Sequence, residues 1–270
     1  MIEIFEKFTD ELSFRKWFST QSLGPHELAM AASRIQSNGI RSDYFGEIEP
    51  DEISITGTNL RENLKAKDLN SRQRALLEFL INESDLFLTR SPKIYAPEAV
   101  THFAATLRYR FPYFLGSEYV PNLSDQKRIY PIQNQNLLDL TLESHAFDAV
   151  ISCDVLEHVP NISKALSEMA RILKHGGVML STHPFSWRQK STVKATLENG
   201  QVSYVTEPEF HGNPIDPEGG SLVFTIPGFE IIEWCIDAGF SKAEMIICAS
   251  EKKGIIGSDP IYINILRAYK

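Results

Sequence analysis

Cysteine is nearly absent. The 270 residues hold three, Cys153, Cys235 and Cys248, and none precedes position 153. Thiols so far apart form neither a disulfide framework nor a zinc-ligand pattern, and a reducing cytoplasm is the expected compartment. Positive charge is also in deficit, with 27 Lys and Arg against 35 Asp and Glu and a net charge of −8. That balance disfavours nonspecific nucleic-acid binding and attachment to an anionic membrane, while a local basic patch stays open. No apolar run approaches the roughly 20 residues of a membrane-spanning helix. The charged, acidic opening stretch is unlike a secretory signal. A G-x-G-x-x-G fingerprint is missing throughout, which argues against a dinucleotide-dependent oxidoreductase. No internal repeat or low-complexity segment is visible.

The length allows one large α/β domain, or a domain with a small appendage. The first 40 residues read as helical. Phe5, Phe8, Leu12 and Trp17-Phe18 make a broken apolar stripe, Pro25 opens a second helix over His26 to Ile35, and Gly39 ends it. Short strand-like alternation follows around Pro50, from Asp43 to Ile55. Asn70-Ser71 then caps a helix predicted from about Arg72 to Asn82, with Ala75, Leu76, Phe79 and Leu80 as its buried face. Residues 1–88 are therefore expected to form a helical and irregular N-terminal subdomain, and residues 89–270 the main domain. Arg72 and Arg74 either lie on a solvated basic helix face or reach a ligand.

The most organised stretch is FDAVISCDVLEHVPNISKALSEMARILKHGGVMLSTHPF, residues 147–185. Phe147 to Ser152 is an apolar run of strand length, as in a parallel strand covered on both faces. Pro160 suits a first helical turn. Ile162, Ala165, Leu166, Met169, Ile172 and Leu173 then recur at helical spacing as one apolar stripe. Lys174 and His175 suit the negative end of that helix, and Gly176-Gly177 a left-handed stop. Val178 to Thr182 returns as a second strand. The result is a βαβ unit, expected to be right-handed. Asp154, Glu157, His158 and His183 fall at the carboxyl ends of its strands, where open α/β sheets bind ligands.

This segment resembles the fourth strand, helix and fifth strand of class I S-adenosylmethionine-dependent methyltransferases, particularly type 11. The resemblance implies a Rossmann-like α/β fold over residues 93 to 268: a mostly parallel sheet, helices on both faces, and a closing antiparallel hairpin. It also implies S-adenosylmethionine as cofactor. The first strand should lie near Lys93 to Ala96. The family follows that strand with a glycine-rich turn, whereas Tyr95-Ala96-Pro97-Glu98-Ala99-Val100-Thr101 has no glycine. It is similar to an Ala-Pro-Glu variant of the turn, in which Pro97 fixes the bend and Glu98 receives the cofactor's ammonium group. A helix from about Ala99 to Arg110 leads to a second strand at Phe114 to Tyr119. Glu118 matches the family's ribose-binding acid, a carboxylate whose two oxygens suit two hydroxyl donors. Leu137 to Leu140 reads as the end of the third strand, with Asp139 as acceptor for the adenine amino group or as a simple turn acid. Asp154 and Val155 would line the methyl-transfer side. Glu157 is either functional or an N-terminal helix acid, and His158 is a tentative substrate contact or a structural histidine. The helix after Asn70-Ser71-Arg72-Gln73-Arg74 is similar to one that follows a cysteine-rich zinc knuckle in some relatives. With no cysteine there, any such knuckle has lost its metal, and no metal is expected elsewhere.

Residues 184–227 exceed an ordinary α/β connection and are expected to form a lid that selects the substrate. They carry Trp187, Arg188, Lys190, Tyr204, Glu207, Glu209, Phe210, His211 and Asn213. Trp187, Tyr204 and Phe210 are the tentative acceptor contacts. Pro208-Glu209-Phe210-His211-Gly212-Asn213-Pro214 resembles a Pro-Glu-Tyr-His-Gly-Asp/Asn-Pro signature in a subset of type 11-like proteins, with Phe210 in place of Tyr. His211 and His183 are the general-base candidates, because imidazole takes a proton near neutral pH. A helix at Phe229 to Ala238 and strands at Ala243 to Ala249 and Ile261 to Ala268 complete the expected fold. The partner is expected to be a small hydroxyl-bearing acceptor such as a sugar. The rival reading is a non-catalytic methyltransferase-like binding module with a degenerate cofactor site.

Overall fold

The protein is described from a computed structural model covering residues 1–83, 86, 91–188 and 190–270. It divides into two compact units, one of Met1–Thr89 with Glu244–Leu266, the other of Arg90–Ala243 with Arg267–Lys270. The boundary expected between positions 88 and 89 falls outside the described residues. Residues 244–266 group with the N-terminal segment.

In the first unit, β1 (Glu3–Phe8) replaces the helix expected over Phe5 and Phe8. It pairs antiparallel with β18 (Lys242–Ser250), Glu3 opposite Ser250 and Phe8 opposite Met245. The spacing of three between the two phenylalanines suits one helix face but puts them on opposite faces of a strand, Phe5 exposed and Phe8 buried, and the partner strand lies far along the chain. Phe5 packs on Phe79 and Phe8 on Trp17. Helices Glu11–Ser19 and Pro25–Asn38 follow; the second stops at Gly39, whose φ of 75° is a left-handed conformation. Short strands β2 (Ile40–Ser42), β3 (Gly46–Ile48), β4 (Ile53–Ile55), β5 (Leu64–Ala66) and β6 (Leu69–Asn70) lead to the helix Ser71–Ile81. The Asn70 side chain accepts from Gln73 N, as the capping reading requires.

Arg74 corrects both sequence readings: it is 1% exposed and binds protein rather than solvent or ligand. Its guanidinium donates to the carbonyls of Leu64 and Leu69, at 3.2 and 2.5 Å, and to that of Gly254. Burial pulls it down to about 9. Arg72 instead donates to Glu62 Oε1 at 2.8 Å.

The second unit is the α/β layer. Strands β7 (Lys93–Ala96), β8 (Tyr113–Glu118), β9 (Gln133–Asn134), β10 (Phe147–Cys153) and β11 (Leu173–Thr182) lie in the order β9–β8–β7–β10–β11, all parallel. All seven residues of β10 are buried, which is why it reads as an unbroken apolar run. Helix Ile162–Ile172 is capped by Asn161, whose Oδ1 accepts from Lys164 N at 3.0 Å. It buries Ile162, Ala165, Leu166, Met169 and Ile172. The helix ends earlier than its sequence suggests. Leu173 already pairs with Phe147 as β11 begins, Lys174 pairs with Asp148 at 2.9 Å, and Gly176 takes φ 79° inside β11. The two glycines serve a strand irregularity, not a helix stop. Helices Leu123–Ile129 and Ile231–Asp237 also belong to this unit, as does the end of β19 (Ile263–Tyr269), and Lys270 N donates to Gly177 O at 2.9 Å.

Residues 184–227 fold as three two-stranded ribbons. They pair β12 (Thr192–Val193) with β17 (Thr225–Ile226), β13 (Ala195–Glu198) with β14 (Gln201–Tyr204), and β15 (Phe210–His211) with β16 (Ser221–Leu222).

Replacing Arg74 by Ala strips a buried donor from three carbonyls, each costing about 1–3 kcal/mol when unsatisfied. Arg74→Ala is expected to lower the unfolding free energy by about 3 kcal/mol in urea titration, and a loss under about 1 kcal/mol would remove the guanidinium from its bracing role.

Candidate active site

Strand β7 runs between β8, which follows it in sequence, and β10, which lies on its other side. That reversal is a topological switch point, and it opens a crevice at the carboxyl ends of the strands. Ala96, Glu118, Cys153 and Thr182 are the last residues of β7, β8, β10 and β11.

The glycine-free turn is built from its neighbours. Tyr95 is fully buried, its hydroxyl 2.8 Å from Ser117 Oγ and its ring against Phe147. What it offers the crevice is backbone. Glu98 is also buried, and its Oε2 accepts from the Thr101 hydroxyl. Thr101 in turn caps helix His102–Arg110 by accepting from Ala104 N at 3.0 Å. Glu118 holds the turn from the adjacent strand: its Oε1 accepts from Ala99 N at 2.7 Å and Val100 N at 3.1 Å. Burial raises the Glu118 pKa, and those two amides oppose the rise. Gly116 makes the approach possible, since a Cβ there would stand 2.6 Å from Glu98 O. The small residue needed for a tight turn lies on β8 instead of in the turn itself.

Asp139 does not end a strand. The third strand finishes at Asn134, and Asp139 is an exposed residue of the turn after it, its N donating to Asn136 O at 2.9 Å. Asn134 is used structurally, its Oδ1 accepting from Val120 N at 2.8 Å. Asp154, in contrast, stands where expected at the end of β10, with φ 53°. It bonds to β11 twice, N to Thr182 O and Oδ1 from Thr182 Oγ1, both at 3.0 Å. Val155 follows it and precedes a 3₁₀ turn, Leu156–His158.

That turn inserts Glu157 into the protein with no exposed surface. Among the described residues, neither carboxylate oxygen accepts a hydrogen bond. Two imidazole nitrogens instead stand near Oε1: His158 Nε2 at 3.6 Å and His211 Nδ1 at 3.5 Å. The rings are perpendicular, with centroids 5.0 Å apart. Glu157, read from sequence as either functional or an N-terminal helix acid, thus lies between two imidazoles directly after a strand end. Burial raises the Glu157 pKa, and the neighbouring Asp154 charge adds to the rise. The Glu157 carboxylate, and with it Glu209, raises that of His211.

The insertion delivers His211. Phe224 N donates to Glu157 O at 2.7 Å, and Val223 N to Glu209 O at 2.9 Å. Gly220, at φ 69°, lets β16 close on β15, because a Cβ there would stand 2.6 Å from His211 O. The other lid candidates scatter. Trp187 packs edge-on to Phe185, while Tyr204 and Phe210 are exposed on their ribbons. His183 is fully buried beside Phe185 and is not one of the carboxylate–imidazole group. His183 thus has no exposed surface, whereas His211 is half-buried.

Residues 110–181 match the family model described as a methyltransferase domain, type 11. The matched quarter of the chain contains Glu118, Asp154, Glu157 and His158. No curated protein matches the sequence. Among solved structures, an S-adenosylmethionine-dependent methyltransferase from Mesorhizobium loti is 14% identical over 76% of this chain and 100% of its own, with a TM-score of 0.46. The 1,6-didemethyltoxoflavin-N1-methyltransferase of Burkholderia thailandensis is 13% identical over 93% and 92%, with a TM-score of 0.43. A methyltransferase from Thermotoga maritima is 16% identical over 74% and 87%, with a TM-score of 0.41. Over residues 110–181 the chain is thus similar to a methyltransferase domain, and the parallel sheet with its switch point carries the matched strands.

Proposed function

We propose that the chain methylates a hydroxyl oxygen of a small acceptor, a sugar or a similar polyhydroxylated compound, with S-adenosylmethionine as donor. The observation that carries this reading is the Glu157–His158–His211 group beside the strand ends, a place for a proton to go when an oxygen becomes a nucleophile.

The cofactor crevice fits its ligand at one point in particular. Glu118 commits Oε1 to the turn, while Oε2 accepts no hydrogen bond among the described residues. That oxygen, at a strand end, suits the ribose hydroxyls. The Ala96-Pro97 backbone would face the methionine half, and Glu98, turned onto Thr101, would act on the ammonium group through its charge and not by a direct hydrogen bond. Asp154 and Val155 border the transfer side. Bound S-adenosylmethionine supplies a methyl carbon on a positively charged sulfur. The chain's residues align the acceptor oxygen with that carbon and shield both from water. As the oxygen takes the methyl group and the carbon–sulfur bond breaks, its proton passes to the His211 imidazole, which Glu157 stabilises in the charged form. Tyr204 and Phe210, exposed on the ribbons, are the acceptor-side surface.

Calorimetric titration with S-adenosylmethionine tests the cofactor half. Glu118→Gln keeps an oxygen for the turn amides but loses the ribose acceptor, and about tenfold weaker binding is expected. Glu118→Ala loses both functions and should weaken binding by up to about 100-fold, at roughly 1.5–3 kcal/mol for a charged hydrogen bond. Unchanged affinity in both variants would remove the ribose assignment. Folded wild-type protein that binds no cofactor would turn the reading to a binding module.

The pH–rate profile tests the acceptor half. The imidazole must be neutral to take a proton, so turnover should rise with pH through a midpoint above the ordinary histidine value, as the neighbouring carboxylate requires. In Glu157→Gln that midpoint should move down. His211→Ala should keep cofactor affinity and reduce turnover by about 10²–10⁴-fold; full turnover in this variant would end the assignment.

A further inference from the structure

We propose that Glu157, His158 and His211 form a binding site for one divalent transition-metal ion of the zinc class, with an open coordination position facing the acceptor. One donor atom from each residue lies within 4.8 Å of the others. The separations from Glu157 Oε1, 3.5 and 3.6 Å, exceed a good hydrogen bond. They are close to the roughly 3.4 Å edge of a tetrahedron whose centre lies about 2.0–2.1 Å from each ligand. Two of the three edges are therefore of ligand length, and the third, between the imidazoles, lies within 4.8 Å.

The outer nitrogens make the argument stronger. His158 Nδ1 is 2.9 Å from Leu222 O, and a carbonyl only accepts, so the ring proton is on Nδ1. His211 Nε2 is 3.2 Å from Glu209 Oε1, and a carboxylate likewise accepts, so its proton is on Nε2. With each ring neutral, both inner nitrogens present lone pairs toward a buried carboxylate that accepts no hydrogen bond among the described residues. In that state three electron-pair donors converge with no proton between them, an arrangement that a cation would compensate. A carbonyl and a carboxylate on the outer N–H groups are also the usual supports of metal-bound histidines. Two imidazoles and one carboxylate suit zinc or a neighbouring first-row ion over magnesium or calcium, which favour all-oxygen sites.

The binding of the ion stands apart from the methyl-transfer reading, whereas its use rests on that reading. A hydroxyl oxygen in the open position becomes more acidic, and its proton goes to solvent. In the loaded protein His211 is a ligand, and the ion takes over the task that its imidazole performs alone.

The test uses untagged, full-length protein stripped with a chelator, titrated with zinc chloride and separately with magnesium chloride, without S-adenosylmethionine. One zinc ion per chain is expected, with magnesium at least about 100-fold weaker. Cobalt(II) should give the intense visible bands of a four-coordinate site. Glu157→Gln and His211→Ala should lose the tight site, and Glu209→Gln should weaken it about 10- to 100-fold. Circular dichroism and thermal melting establish that each variant is folded. No zinc uptake by folded wild type, or equal uptake by the folded variants, would overturn the proposal. Cofactor binding without metal binding would overturn it too, and leave the methyltransferase reading standing.

Discussion

A carboxylate with no exposed surface costs several kcal/mol unless a proton, a cation or hydrogen-bond donors compensate it. Glu157 is such a group, and much of the surrounding architecture answers to it. Asp154 adopts a left-handed φ so that the chain can leave β10 and enter a 3₁₀ turn. Leu156 fills the core on one side of Glu157, and His158 is pinned by Leu222 on the other. The backbone carbonyl of Glu157 receives Phe224 N, so the residue that needs compensation also anchors the segment supplying it. Without the insertion, the buried carboxylate would keep only one imidazole neighbour. The long connection after β11 is therefore part of the electrostatics of the β10 end, whatever else it selects.

A second constraint acts at β7. A glycine-rich turn creates room by omitting side chains where backbone and ligand meet. This chain keeps side chains in the turn but directs them elsewhere: Tyr95 into the core, Glu98 onto Thr101, and Ala99 toward Glu118 through its amide. The close approach has moved to Gly116, beneath the turn. One residue of β8 thus removes bulk, and another, two positions later, supplies the acceptor that fixes the turn amides. That pairing explains how Pro97 and Glu98 stand where glycines are usual without forcing the helix His102–Arg110 away from the strand. It also commits Glu118 Oε1 to the two turn amides and leaves Oε2 at the strand end.

The parts legible in the sequence are those set by local periodicity. The fully buried β10 and the stripe of helix Ile162–Ile172 follow from spacing alone, and Asn70 and Gly39 behave as their types require. What escaped depends on distant partners. Strand β1 looked helical because its pairing with β18 is not a local property. Gly176-Gly177 looked like a helix stop because the early pairing of Leu173 with Phe147 cannot be read from either segment. Arg74 looked exposed because its carbonyl acceptors lie on a hairpin and on a loop near the far end of the chain. At the site, His158 and His211 were each visible as candidates, but their convergence on Glu157 needs the fold of the insertion. Asp139 showed the reverse error: a leucine-rich context suggested a strand where the chain turns.

The site gains its order from alternating charge. Lys194 Nζ stands 3.2 Å from Glu209 Oε2, Glu209 Oε1 stands 3.2 Å from His211 Nε2, and His211 Nδ1 faces Glu157. Lys194 is itself fixed by backbone, donating from N to Phe224 O at 2.7 Å and accepting at O from Val205 N at 2.8 Å. The half-exposed lysine holds Glu209 in place, Glu209 fixes the proton on the outer face of His211, and the inner lone pair is left for whatever compensates Glu157. Because these contacts lie on ribbons of the same insertion, a displacement of β13 or β15 would release the outer nitrogen and let the ring change tautomer. Protonation or metal occupancy at the strand end is thereby tied to the conformation of the segment that carries Tyr204 and Phe210. An acceptor that settles those ribbons would also set the chemistry beneath them, which gives the insertion a physical reason to be long.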